Sequence, residues 1–158
     1  MKILISSDHA GFELKEKLKA FLNDLGYKIK DFGAYIFNEN DDYPDFVKPL
    51  AKEISENSGD LGIILGGSGQ GEAICANRFK GVRAVVFNGQ YKPVDGREVP
   101  NEIVLSREHN NANVLSLGAR FLSFDEAKEA VMLWLKTPFS GDGRHVRRIN
   151  KIDSVNNV

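Results

Sequence analysis

The chain carries two hydrophobic periods that take turns. Residues 2–6 form a short apolar run of strand length, after which Leu14, Leu18, Phe21, Leu22 and Leu25 recur at helical spacing over roughly 11–24. Gly26 ends that helix, and Tyr27 to Phe32 alternates as a second strand. Gly33 to Tyr43 is polar and loop-like. Pro44 fits the first turn of a helix reaching about Asn57, with Phe46, Val47, Leu50, Ala51 and Ile54 as its inward stripe. Further on, Leu61 to Leu65 and Gly81 to Phe87 have strand character, Glu102 to Glu108 reads as a helix, and Val114 to Gly118 is a fifth strand. Ser123-Phe124-Asp125-Glu126 is a capping box opening a helix whose inward face is Ala127, Ala130, Val131, Trp134 and Leu135. Pro138 to Gly143 then breaks the chain before a last helix beginning near Arg144.

Strand and helix alternate in units long enough for crossovers, which predicts a doubly wound α/β/α sandwich, Rossmann-like, with a five-stranded parallel sheet. One domain over residues 1–158 is expected, with a helical tail from about residue 140. If the loops after strands one and three share a site, those strands are neighbours. The pattern fixes no more of the strand order than that.

The stretch Leu61 to Arg78 concentrates the candidate chemistry. A buried strand leads into Gly66-Gly67-Ser68-Gly69-Gln70-Gly71 and then a helix start, so backbone N–H groups and the helix dipole converge on a place suited to an anion. No Lys-Ser/Thr follows the last glycine, and the G-x-G-x-x-G spacing is absent, which excludes the two common nucleotide loops. Glu72 follows the last glycine directly. A lone glutamate at a helix start commonly just offsets the dipole; beside an anion-binding loop it is also a candidate base.

Composition narrows the class. With 42% apolar and 27% charged residues and a net charge of -1, the chain is an ordinary globular one without a generally basic nucleic-acid surface. The single cysteine, Cys75, provides neither a disulfide framework nor a cysteine zinc site and suits a reducing compartment. Met1 to Ile5 runs straight into strand pattern, and no segment approaches a membrane span, so a cytoplasmic protein without membrane or nucleic-acid partners is expected.

Other candidates lie at predicted strand ends and in the tail. Asp8 is either a helix N-cap or, with His9, part of a proton-handling or phosphate-contacting pair. Arg120 lies just beyond the fifth strand. Arg144 and Arg148, four apart on one helix face, suit a phosphate clamp or a merely solvated basic face. Asp41 and Asp42 read as solvated loop residues with no histidine nearby in sequence, and no metal is assigned. Cys75 reads as a small buried residue.

These motifs are similar to those of the ribose-5-phosphate isomerase B family, which includes galactose-6-phosphate and allose-6-phosphate isomerases. The resemblance rests on Ser7-Asp8-His9-Ala10-Gly11, Asp41-Asp42-Tyr43-Pro44, the glycine loop with Glu72 and Ala76-Asn77-Arg78, Gly81-Val82-Arg83-Ala84, Arg107 to Asn113, and Arg144-His145-Val146-Arg147-Arg148. It implies an aldose–ketose isomerase needing no cofactor, acting on ribose 5-phosphate or on a six-carbon sugar phosphate. It also implies a homodimer or homotetramer with shared sites. Under it, Glu72 is the C2 base and the N–H groups of Gly67, Gly69, Gln70 and Gly71 hold the enediolate. Ser68 steadies the hydroxyl oxygens, His109 aided by Asp8 opens the furanose ring, and Asn110 binds the sugar chain. His9, Arg120, Arg144 and Arg148 hold the phosphate. One branch of the family has a cysteine base at the position of Gly66; this chain resembles the glutamate branch. Residues Lys92 to Asn101 are an insertion relative to the family pattern, expected as a surface loop or as part of the site's rim. A nucleotide-binding module using the same glycine loop is the remaining alternative class.

Overall fold

The computed structural model describes residues 2–57 and 59–154; Met1, Ser58 and residues 155–158 of the expected domain lie outside the described residues. Five strands, β1 (Ile3–Ser7), β2 (Ile29–Asp31), β3 (Leu61–Gly66), β4 (Ala84–Phe87) and β5 (Val114–Gly118), form one parallel sheet in the order β2-β1-β3-β5-β4. Six α-helices are seen among the described residues: α1 (Phe12–Asp24), α2 (Tyr43–Glu56), α3 (Gln70–Ala76), α4 (Glu102–Glu108), α5 (Phe124–Lys136) and α6 (Gly143–Asp153). The doubly wound sandwich is therefore the observed architecture, with β1 beside β3 as the shared-loop expectation requires.

Strand pleating divides the core into two layers. Ile3, Ile5, Ile63, Leu65, Leu115 and Leu117 face Leu18 and Leu22 of α1, Ile103 of α4 and Val131 and Trp134 of α5. Leu4, Ile64 and Val114 face Val47, Leu50 and Ile54 of α2 and Ala76 of α3. Alternate residues of one strand thus serve opposite faces, which is why buried parallel strands read as continuous apolar runs. Every residue of β1, β3 and β5 is buried, whereas β4 is mostly half-buried. The three fully buried strands are the interior ones, and β4, though wholly apolar, is left at the edge although it precedes β5 in sequence.

Several boundaries differ from the pattern. β2 spans Ile29–Asp31 rather than Tyr27 to Phe32, and β4 starts at Ala84 because Gly81, at φ +74, turns the chain there. Leu25 is 50% exposed, whereas Lys15 is fully buried on α1. Its ammonium reaches the Asp31 carboxylate and the Ala34 carbonyl, so a charged residue sits inside the apolar stripe because its partners come from another element. Asn77 brackets the Ala84 backbone, accepting from its N–H at 2.7 Å and donating to its carbonyl at 2.9 Å. That residue of the Ala76-Asn77-Arg78 motif thus closes the turn into β4.

In a sheet that winds outward from β1 and β3 in opposite directions, the crevice lies beyond their C-terminal ends. Asp8 and His9 follow β1, the glycine loop follows β3, and Arg120 follows β5.

Candidate active site

The glycine loop is fixed through its carbonyls. Those of Gly66 and Gly67 accept the N–H groups of Ala119 and Arg120 at 2.8 and 3.1 Å, that of Ser68 accepts the Asn88 amide at 3.1 Å, and that of Gly69 accepts the Ser116 hydroxyl at 2.6 Å. In a planar trans peptide the following N–H points the opposite way. The N–H groups of Gly67, Ser68 and Gly69 are accordingly turned away from the sheet and have no protein acceptor among the described residues. Gln70 N–H makes a long 3.4 Å contact to the Ser68 hydroxyl. Gly69 sits at φ +73, open to glycine and strained for most side chains, and any Cβ there would press on Ser116 and the β5 backbone.

Glycine at 66, 67 and 71 makes room for three side chains. A Cβ at Gly66 would stand 1.7 Å from Glu72 Oε1; one at Gly67 would be 2.9 Å from the Arg120 guanidinium carbon; one at Gly71 would be 2.8 Å from the Tyr43 ring. A carboxylate, a guanidinium and a phenol therefore lie directly on the loop backbone. Tyr43 was legible only as part of the Asp41-Asp42-Tyr43-Pro44 motif, and its place against Gly71 follows from α2 packing beside α3.

Glu72 is 4% exposed. Burial pushes its carboxyl above the usual glutamate range, and the nearby Asp8 carboxylate pushes the same way, while its own backbone N–H opposes them. Such a carboxylate is a stronger proton acceptor than a solvated one, as a general base near neutral pH requires. Asp8 itself is an N-cap, accepting the Gly11 N–H at 3.1 Å. The capping and site readings of Asp8 coexist.

His9 is held by a residue that its sequence neighbourhood does not reveal. Its ring Nδ1 lies 2.7 Å from Asp41 Oδ1, and its backbone N–H donates to the same oxygen at 3.0 Å. The expectation that Asp41 has no histidine near it is corrected, because the loop before α2 folds back over the end of β1. Asp8, His9 and Asp41 place donor atoms within 4.8 Å of one another. The 2.7 Å separation is that of a shared proton, shorter than the spacing of two ligands around one ion, and no metal is assigned.

His109 and Asn110 are elsewhere. They follow α4 and precede β5, at the edge of the sheet where strands begin, roughly 15 Å along the strand from the edge that carries the glycine loop. There the His109 ring stacks on His145 of α6, with centroids 4.2 Å apart. Arg144 and Arg148 are exposed on the same α6, without acidic partners among the described residues. Arg83 meets Asp153 of α6 at 3.5 Å, which docks the helix at that edge. The structure thus gathers Asp8, His9, Gly67, Ser68, Gly69, Gln70, Gly71, Glu72 and Arg120 into one group. It gathers His109, Asn110, Arg144 and Arg148 into a second.

Cys75, expected as a small buried residue, is half-buried on α3, and burial pushes its thiol up. The Lys92 to Asn101 segment is an exposed loop closed by Gln90, whose amide oxygen accepts the Glu102 N–H at 2.9 Å and whose amide nitrogen donates to the Pro100 carbonyl at 3.2 Å. No helix among the described residues is long and apolar enough to cross a membrane.

A doubly wound α/β chain with a buried carboxylate beside outward-facing backbone N–H groups has the geometry that a proton-transfer enzyme of the isomerase kind needs. The sequence model of the Ribose/Galactose Isomerase family matches residues 3–152, and the chain belongs to that family. It is 39% identical over 150 residues to ribose-5-phosphate isomerase B of Mycolicibacterium paratuberculosis, covering 95% of this chain and 88% of the relative. The crystal structure of ribose-5-phosphate isomerase B from Mycoplasma genitalium with bound ribulose 5-phosphate superposes with a TM-score of 0.88 at 38% identity, covering 99% of this chain and 96% of that one. The enzyme of the same name from Thermotoga maritima superposes at 0.84 with 45% identity and 98% coverage of both chains.

Proposed function

We propose that the protein interconverts ribose 5-phosphate and ribulose 5-phosphate through an enediolate, with Glu72 as the base that carries the proton between C2 and C1. The observation that carries this reading is the Glu72 carboxyl, buried and with its pKa held above the usual glutamate range by that burial, lying beside the outward N–H groups of the glycine loop. Proton removal at C2 builds charge on the adjacent oxygens, and preformed N–H donors stabilise it without reorganising. Gly67, Gly69, Gln70 and Gly71 supply that hole, and Ser68 steadies the hydroxyl oxygens. His9 and Arg120 flank the loop as cations for the phosphate. Burial, with a smaller contribution from Asp8, keeps Glu72 basic, and Asp8 assists ring opening. The likeness to ribose-5-phosphate isomerase B enzymes, one of them holding ribulose 5-phosphate, supports the five-carbon substrate.

Ring opening by His109, chain binding by Asn110 and phosphate clamping by Arg144 and Arg148 need a second subunit in this reading. Those residues stand at the far edge of the sheet from Glu72 in their own chain, so a two-fold homodimer that brings one subunit's α4–α6 edge to the other's glycine loop completes two sites at once. The chain is a single domain with α6 as its tail, and a cytoplasmic location suits its single unpaired cysteine and a charged sugar phosphate substrate.

The test is an isomerase assay of the purified chain on ribose 5-phosphate beside galactose 6-phosphate and allose 6-phosphate. Preference for the pentose phosphate is expected. Turnover of a six-carbon phosphate alone would overturn the substrate assignment, and nucleotide binding without any isomerase activity would overturn the class.

A further inference from the structure

The Asp41 carboxylate is a buried charge with one counter-ion. Its side chain is 8% exposed, its Oδ1 receives both the His9 ring Nδ1 and the His9 backbone N–H, and its Oδ2 is buried without a partner among the described residues. A carboxylate taken out of water and left uncompensated is costly, so the pairing favours a protonated imidazole. From the geometry we infer that Asp41 is a positioning residue for the phosphate site, fixing the His9 ring through Nδ1 and holding its proton so that Nε2–H is presented to the ligand. The inference rests on the proposed role of His9 as a phosphate contact.

The need for such a residue follows from two opposing titrations. A phosphate monoester becomes a dianion only above about pH 6, whereas an ordinary histidine loses its charge above about pH 6.5. Unaided, the dianion and the imidazolium coexist over a narrow interval. The Asp41 hydrogen bond raises the His9 pKa, partial burial opposes it, and Asp8 adds to the rise. Arg120 beyond β5 pushes the other way, and Glu13 and Lys17 of α1 line a groove of about 350 Å3 beside the ring. Phe37 packs edge-on against the imidazole, with ring centroids 6.4 Å apart. Because the folded pKa is raised, the His9 charge is complete at low pH and lost only as pH climbs through the raised value, which extends dianion binding to higher pH.

Asp41→Asn keeps the shape and the acceptor for the His9 N–H but removes the charge. NMR titration of the His9 ring in the ligand-free protein should show its pKa fall in this variant, and the KM for ribose 5-phosphate should rise several-fold between pH 6 and 8 with kcat little altered. His9→Ala should raise KM across the whole range and abolish that pH dependence. An unchanged His9 titration in a folded Asp41→Asn protein would overturn the role of Asp41. A normal KM in His9→Ala would instead overturn the phosphate role of His9 itself. A shifted titration with an unshifted KM profile would show that Asp41 tunes His9 for some purpose other than holding phosphate, and would also sink the inference. Should Asp41→Asn fold poorly, the titration of His9 in Asp41→Ser answers the same question.

Discussion

Glu72 occupies the space that a side chain at position 66 would need: its Oε1 lies 1.7 Å from where a Cβ on Gly66 would be. In this backbone the two positions compete for one volume beside the anion hole. A side chain at 66 and the Glu72 carboxyl would therefore meet in the same place from opposite sides of the loop, so the base proposed at 72 goes together with glycine at 66. Replacing Glu72 with Gln, which keeps shape and deletes basicity, should lower kcat by roughly two to three orders of magnitude with ligand binding nearly intact. Isomerase kinetics beside a binding isotherm for a phosphate ligand check this; near-normal turnover in the folded variant sinks Glu72 as the base.

Gly66→Ala should inactivate by displacement. The colliding atom is the end of a flexible side chain, so the carboxylate is expected to swing out of place at a stability cost of about 1–3 kcal/mol, typical of overpacking. A folded, weakly active Gly66→Ala protein is the expected result by thermal denaturation and kinetics. Full activity would mean that the carboxylate has no fixed place in the reaction.

The raised pKa of Glu72 has a thermodynamic counterpart. The folded protein binds a proton here more tightly than the unfolded chain, so stability from this group falls as pH rises from the ordinary glutamate value through the raised one. At neutral pH, Glu72→Gln should consequently melt higher than the wild type, and the gap should close in acid below about pH 4, where both states are protonated. The acid limb of kcat/KM should likewise lie above the ordinary glutamate range and move down in Asp8→Asn. Melting curves and rate profiles across pH 3–8 decide both points.

Subunit mixing tests the two-part site. Combining inactive Glu72→Gln with inactive Arg144→Ala/Arg148→Ala, or with His109→Ala, should restore about one quarter of wild-type activity after random exchange. Half of the dimers are mixed and each contains one intact site. No recovery after verified exchange would place the second group of residues in the same subunit as the base or outside the site.

Thiol alkylation should leave activity largely unchanged. Cys75 lies on α3, half-buried, with its thiol held above the usual range and so poorly ionised at neutral pH. The control is Cys75→Ala, and loss of turnover in that folded variant would mean that the base is misassigned.

The sequence by itself determined the element order, the parallel α/β class, the helix stripes and the glycine loop, because each rests on local periodicity or on turn chemistry within a few residues. It also placed Asp8, Glu72 and Arg120 at strand ends, where a doubly wound sheet puts its site. What tertiary structure decided were relations between distant segments. β5 lies between β3 and β4, an order that follows neither the sequence nor the apolar content of the strands. Lys15 is interior because Asp31 and the Ala34 carbonyl reach it from β2 and the loop beyond. His9 meets Asp41 because a polar loop of no periodicity folds across β1. His109 and Glu72 are both motif residues, yet parallel strands put the entrance and exit of β5 at opposite edges of the sheet. Periodicity reports which face a residue uses. It carries no term for which end of a sheet a connection lands on, and that distance separates His109 from Glu72 within one chain.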